Sequence, residues 1–423
     1  MRDDGALART MQQAGRFEKL RRFYTGLAVF GLNTLIVLVV LNILAWIGVR
    51  AYSRYVFART PLGKYNQDKL LRAYPGWDWE DLQVLLCCSL PYEYEPYTGH
   101  RNLPETRKYL TVDERGFRHV ANQGPWPPSN EYVNVFFFGG STSFGSGVPD
   151  EDTVASHLQA ELNQRLGTDA VRVYNFGRVH YISLQERILL ENLLLEGHVP
   201  DFAVFLDGLN DFHRNDGTPA LTEEIRELLH SQEVARSRER LELVLTPFRR
   251  MPILTLARQL RDSASAPSLT ERLTPEQIAA EYDPVEKLEG AAERYVRNQA
   301  LIRAVAAPYG IQTLFVIQPI PTYKYDISYH VFSEGDLGYF HEANFAGFGY
   351  RILEGRRSAL ERQEDFLWLA DMQEDVRENL YCDSIHYTSA FAKTISSAIA
   401  DRLVPGIENA VRARASRAAV AIP

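Results

Sequence analysis

The strongest hydrophobic feature of the chain is an apolar run from Leu27 to Val49, broken only by Gly31, Asn33, Thr34, Asn42 and Gly48. As a helix rising about 1.5 Å per residue it reaches roughly 34 Å, enough to cross a hydrocarbon core about 30 Å thick. A cleaved leader would have a shorter apolar stretch followed by a small-residue cleavage site, whereas Arg50 follows directly here. The run therefore reads as a transmembrane helix over 27–49, preceded by a cytoplasmic tail, residues 1–26. Arg9, Arg16, Lys19, Arg21 and Arg22 precede it, and Arg50, Arg54, Arg59 and Lys64 follow. The slight positive bias before the span places the N-terminus inside and the rest of the chain on the extracytoplasmic, periplasmic side.

Residues 50–130 are rich in Tyr, Trp, Pro and Gly without periodic runs, and read as an irregular stalk or cap. From Tyr132 the pattern changes. Val133 to Phe138 is a β-branched and aromatic run of the kind buried on both faces of a sheet. Val171–Phe176, Phe202–Leu206, Thr313–Ile317 and Asp365–Leu369 repeat that character. Between them lie helical patterns. Thr153–Leu166 carries Val154, Leu158 and Leu162 on one face, and Ser183–Leu184–Gln185–Glu186 reads as a capping box opening a helix to about Glu196, with Gly197 as its stop. Glu286–Pro308 forms a further helix stopped by Gly310, and Thr388 caps a last one through Leu403. Strands alternating with helices imply a parallel α/β sheet covered on both sides. The polar stretch 215–282 reads as a helical insertion, the sheet domain spans 131–405, and the Ala/Arg-rich tail 406–423 is expected to be mobile.

Composition changes this picture little. With 423 residues and a net charge of −8, the chain can bury a large core and lacks the basic excess of a nucleic-acid binder. Cys87, Cys88 and Cys382 are too few for a disulfide framework, and Cys382 reads as a small buried apolar residue.

In open α/β sheets ligands bind beyond the carboxyl ends of the strands, so the residues that follow each strand carry the chemistry. They are Gly139–Gly140–Ser141–Thr142–Ser143 after the first, Asn175–Phe176–Gly177 after the second, and Asp207–Gly208–Leu209–Asn210–Asp211 after the third. Asp383–Ser384–Ile385–His386 stands just before the last helix. Each block alone is ordinary loop chemistry; their combination is not. A serine hydroxyl needs an adjacent base, and a histidine needs an acceptor on its other nitrogen to fix its tautomer. A tetrahedral oxyanion needs preorganised donors. Ser141, His386 and Asp383 fit the first two needs, and the amides of Ser141, Gly177 and the Asn210 side chain fit the third.

These blocks resemble those of the SGNH (GDSL-type) hydrolase superfamily, named for its Ser, Gly, Asn and His. Ser141, Gly177, Asn210 and His386 fall on the four, and Asp383 matches the aspartate three residues before the histidine. Gly140 departs from the Gly-Asp-Ser-Leu form and gives the Gly-Gly-Ser-Thr variant; the phrase Tyr94 to His100 resembles membrane-anchored bacterial members. The resemblance covers roughly Tyr132 to Leu403, leaving the insertion unmatched. It implies a three-layer αβα flavodoxin-like fold and hydrolysis of an acyl (including O-acetyl) ester, with no cofactor and no metal. It allows, as alternatives, an O-acyltransferase acting on an envelope polysaccharide or a non-catalytic carbohydrate-binding or assembly protein that keeps the fold. The expected partners are an acyl-ester substrate, carried by carbohydrate or lipid, and the bilayer around residues 27–49.

Other motifs point elsewhere only weakly. The loop 139–147 lacks the ending of a P-loop, and His341–Glu342 lacks a second histidine at zinc-protease spacing. The aromatic-dense segment Pro319–Tyr350 follows a strand and is expected either to hang over the site or to pack down on its own side chains. His213 and His330 are further candidates to line the site.

Overall fold

A computed structural model describes residues 4–57, 65–87, 90–213, 217–219, 222, 251–253, 285–340 and 343–420. The chain forms two compact units. In one, a single helix α1 (Asp4–Phe57) contains the apolar run, and its stretch Arg21–Val49 is long and apolar enough to cross a membrane.

The other unit opens with α2 (Gln67–Ala73) and α3 (Trp79–Leu86), each capped at its N-terminus by an acceptor side chain, Asn66 and Asp78 respectively. The hairpins β1 (Tyr92–Glu95)/β2 (Gly99–Asn102) and β3 (Glu105–Thr106)/β4 (Thr111–Val112) follow. The expected irregular stalk is thus a built cap. Its apolar residues Tyr65, Leu70, Tyr74, Leu82 and Leu86 pack with Val331, Phe332 and Cys382 of the sheet domain. Long-range contacts, which leave no local period, hold it together.

The sheet domain begins with β5 (Val133–Gly139), followed by the one-turn helix α4 (Ser141–Phe144), α5 (Val154–Leu166), β6 (Val171–Asn175) and α6 (Ser183–Leu195). β7 (Phe202–Asp207) leads into α7 (Leu209–His213), and α8 (Val285–Ala306) into β8 (Gln312–Ile317). Then come α9 (Ala343–Glu354), α10 (Arg357–Leu360), β9 (Phe366–Trp368) and α11 (Ser389–Val420). The five strands pair in parallel in the order β6-β5-β7-β8-β9. In sheet order that is 2-1-3-4-5, the flavodoxin-like arrangement, whose strand order reverses between β5 and β7.

Alternation along β5 explains the two cores. Phe136 and Phe138 face a cluster built with α6, α8 and α9, while Val133, Val135 and Phe137 face α5 and α11. Both faces of the sheet are therefore covered, which gives three layers.

Two local expectations fail. Ser183 does not cap α6: Ile182 occupies that position and its amide is met by Gln185 Oε1 at 3.2 Å, while the Ser183 hydroxyl donates to Asp211 at 2.5 Å. The last helix also continues past Leu403 through Pro405 to Val420, with Arg414 pairing with Asp201 at 2.9 Å and bonding the Asn130 carbonyl. The insertion 215–282 and His341–Glu342 fall almost wholly outside the described residues, as does Cys88.

Candidate functional site

Ser141 stands at the first position of α4, immediately beyond the carboxyl end of β5, and is 5 % exposed. Its hydroxyl makes no hydrogen bond among the described residues. A helix start leaves its first amides without intrahelical acceptors, so the Ser141 N–H lies beside its own hydroxyl as a donor.

Asn210 reaches the same place from the end of β7. Its Nδ2 donates to the Tyr181 carbonyl at 2.8 Å, which fixes the amide and leaves a second proton. A Cβ on Gly140 would lie 2.4 Å from that nitrogen, so the amide rests directly over residue 140. A side chain at residue 140 would therefore require the Asn210 amide to shift. Ser141 and Asn210 follow the two strands that flank the switch point, where a doubly wound sheet offers its crevice.

Gly177 is placed differently from expectation. A Cβ there would sit 2.4 Å from the Phe144 amide nitrogen, so glycine permits the loop after β6 to close on α4. Its own amide, however, donates to Asn175 Oδ1 at 2.9 Å and is not directed at Ser141. The close approach seen here is to α4, and the Gly177 amide expected as an oxyanion donor is engaged by Asn175.

Asp383 and His386 form a compact unit. His386 Nδ1 lies 2.6 Å from Asp383 Oδ2, and Asp383 Oδ1 accepts from the backbone amides of Ile385 and His386, each at 2.9 Å. Burial alone would push the Asp383 carboxyl up, but the neighbouring His386 charge and these hydrogen bonds outweigh it and hold it well below the usual carboxylate range. An ionised Asp383 assigns the ring proton to Nδ1 and leaves a lone pair on Nε2. That Nε2 is buried and has no hydrogen-bond partner, Ser141 Oγ included. Catalytic bonds are often long or misaligned without substrate. The loop is braced from outside by Cys382, whose amide bonds the His386 carbonyl at 2.8 Å, and by Tyr387, whose hydroxyl donates to the Pro319 carbonyl at 2.8 Å. Cys382 itself is buried, as expected.

Two sets of residues escaped the sequence reading. Arg118, just past β4, is fully buried and donates to the carbonyls of Gly145 at 2.7 Å and Val148 at 2.6 Å, with Asp150 as its counter-ion at 2.8 Å. It clamps the loop leaving α4, and no local pattern marks it. Buried Glu186 and Asp207 form an acidic cluster with the partly buried Asp211, between α6 and the loop carrying Asn210. Burial, and then Asp207, keeps Glu186 protonated well above the carboxylate range, while burial pushes Asp207 up to about 8 and Asp211 up to about 6. Arg294 and the Ser183 bonds restrain Asp211.

The aromatic segment packs down. Tyr323, Phe332, Phe340 and Tyr350 are core residues. His330 is buried too, its Nδ1 accepting from the amides of Phe332 and Ser333, and burial lowers it to about 4. Neither His330 nor His213 lines the cavity that borders His386.

No family model and no curated protein matches the chain. Among solved structures, it is similar to an acetyl xylan esterase at 14 % identity and a TM-score of 0.34, over 63 % of this chain and 98 % of that one. A psychrotrophic esterase from Pseudoalteromonas is similar at 12 % identity and a TM-score of 0.33, over 65 % and 98 %. A lipase/acylhydrolase from Enterococcus faecalis is similar at 10 % identity and 0.32, over 64 % and 96 %.

Proposed function

We propose that the chain is a membrane-anchored serine esterase of the SGNH type. The observation that carries this reading is His386, whose Nδ1 is fixed by an ionised carboxylate while its Nε2 is buried and unpartnered. That nitrogen is free to act as the base for the Ser141 hydroxyl.

In this mechanism the Ser141 hydroxyl gives its proton to His386 Nε2 as Oγ attacks the ester carbonyl carbon. The oxyanion is met by the Ser141 amide and the free proton of Asn210 Nδ2. His386 returns the proton to the leaving alcohol, and the acyl group remains on Ser141. Water then repeats the sequence, with His386 as base and Ser141 as leaving group, releasing the acid. Asp383 keeps the ring in the productive tautomer throughout. The stretch Arg21–Val49 holds the enzyme in the bilayer, with the sheet domain on the extracytoplasmic side.

Turnover of p-nitrophenyl acetate by the full chain in phospholipid nanodiscs, compared with Ser141→Ala, tests the assignment. Loss of turnover in a variant with unchanged circular dichroism supports it; retained turnover overturns it.

A further inference from the structure

The phrase Tyr94 to His100 plays no part in the Ser141 chemistry, yet it wraps the segment that holds Asn210. It forms the turn between β1 and β2, and three of its residues grip the loop after β6 and the start of α6. Glu95 pairs with the fully buried Arg178. The Thr98 carbonyl accepts from Gln185 Nε2 at 2.5 Å. His100 acts twice: its Nε2 donates to the Val179 carbonyl at 2.9 Å, and its own carbonyl accepts from the Tyr181 hydroxyl at 2.7 Å. Arg178 Nη1 donates to that same hydroxyl at 2.7 Å.

Between these anchored residues, His180 has a φ of 65°. A non-glycine residue enters this left-handed region at a cost, and stays there only where its surroundings over-determine it. The next residue is Tyr181, whose carbonyl accepts from Asn210 Nδ2 at 2.8 Å. The amide that meets the oxyanion is thus aimed by a carbonyl in a strained turn, and the cap hairpin holds that turn.

We infer that the hairpin over 94–100 is a positioning element for the oxyanion hole, with His100 and Tyr181 as positioning residues that aim the Asn210 amide. The inference rests on the serine-esterase reading and extends it to the cap. Without the Tyr181 hydroxyl the turn loses an anchor, His180 relaxes toward an ordinary negative φ, and the Tyr181 carbonyl moves with it. A misaimed oxyanion donor weakens transition-state binding more than substrate binding, so the loss falls on kcat and not on KM. Ser183 and Asp211 join the same two segments at 2.5 Å, which keeps the displacement partial.

The test is steady-state hydrolysis of p-nitrophenyl acetate by the full chain in nanodiscs, in a double-mutant cycle of Tyr181→Phe and Asn210→Ala. His100→Phe is an independent probe that keeps an aromatic ring against Tyr92 and Tyr181. Circular dichroism checks that each variant is folded. Tyr181→Phe and His100→Phe should each lower kcat about tenfold, short of the roughly hundredfold of a lost donor, with KM changed less than about twofold. In the Asn210→Ala background either substitution should lower kcat by less than about twofold, because the amide it aims is gone. Losses that multiply through the cycle would show a structural role alone and overturn the inference, as would an unchanged kcat in both single variants. A wild type that neither turns over the ester nor takes a fluorophosphonate on Ser141 overturns the esterase reading, and this inference with it.

Discussion

A Cβ on Gly140 would lie 2.4 Å from Asn210 Nδ2, so the missing side chain at 140 is what lets the asparagine amide settle over the start of α4. The Gly140→Ala variant must move either that amide or the turn into Ser141. Loss of one oxyanion donor costs about a hundredfold or more in kcat. We expect a fall of that order in kcat, with KM changed far less, in steady-state assays on a soluble ester. An unchanged kcat would remove Asn210 from the mechanism.

The Asp383–His386 pair predicts a separate phenotype. Asp383→Asn should keep the fold but lower kcat by about 10⁴-fold, since an amide favours the wrong imidazole tautomer. It also changes acid stability. The folded-state Asp383 carboxyl lies below its ordinary value, so its contribution is present above the unfolded pKa and is lost as pH falls below about 4. Melting temperature measured from pH 3 to 7 should therefore show a shallower acid decline in Asp383→Asn than in wild type.

The buried acids have the opposite sign. In the fold burial pushes Asp207 up to about 8 and Asp211 up to about 6, both above the ordinary carboxylate value. Their contribution is complete below about pH 4, where unfolded carboxyls are also protonated, and is lost as pH rises through these folded values. Glu186→Gln supplies a permanent donor facing Asp207 and removes one acid. Its melting temperature should match wild type near pH 4 and exceed it near pH 9. A wild-type melting curve that does not weaken between pH 5 and 9 relative to the variant would refute the protonated cluster.

Arg118→Met removes the donors to the Gly145 and Val148 carbonyls and strands Asp150 without its counter-ion. An unsatisfied buried acceptor costs about 1–3 kcal/mol. Denaturant unfolding should show a loss of at least that order, against a much smaller effect for Arg297→Met, whose ion pair with Glu293 joins two exposed side chains.

The layered sheet was legible because strands buried on both faces leave continuous apolar runs, as in Val133–Phe138, and because the helices between them carry clear caps and stops. The positions of Ser141 and Asn210 directly after β5 and β7, and the pairing of Asp383 with His386 just before the last helix, were legible from the strand pattern and the three-residue Asp-to-His spacing. What escaped depends on long-range partners. Ser183 has the sequence of a cap, but Asp211 takes its hydroxyl from another element. Gly177 escaped for a local reason instead, since Asn175 two residues earlier accepts from its amide. The cap residues Leu70, Leu82 and Leu86 find their neighbours at Val331, Phe332 and Cys382, far along the chain, and so looked irregular.

The central claim is that Ser141 is a nucleophile activated by His386. The most direct measurement is intact-mass analysis of the full chain in nanodiscs after reaction with a fluorophosphonate, in wild type, Ser141→Ala and His386→Ala. A serine activated by His386 should give a single phosphonyl adduct on wild type, mapped to the peptide containing Ser141, none on Ser141→Ala, and a rate reduced at least a hundredfold in His386→Ala. A folded wild type that acquires no adduct, or an adduct that survives in Ser141→Ala, would contradict it.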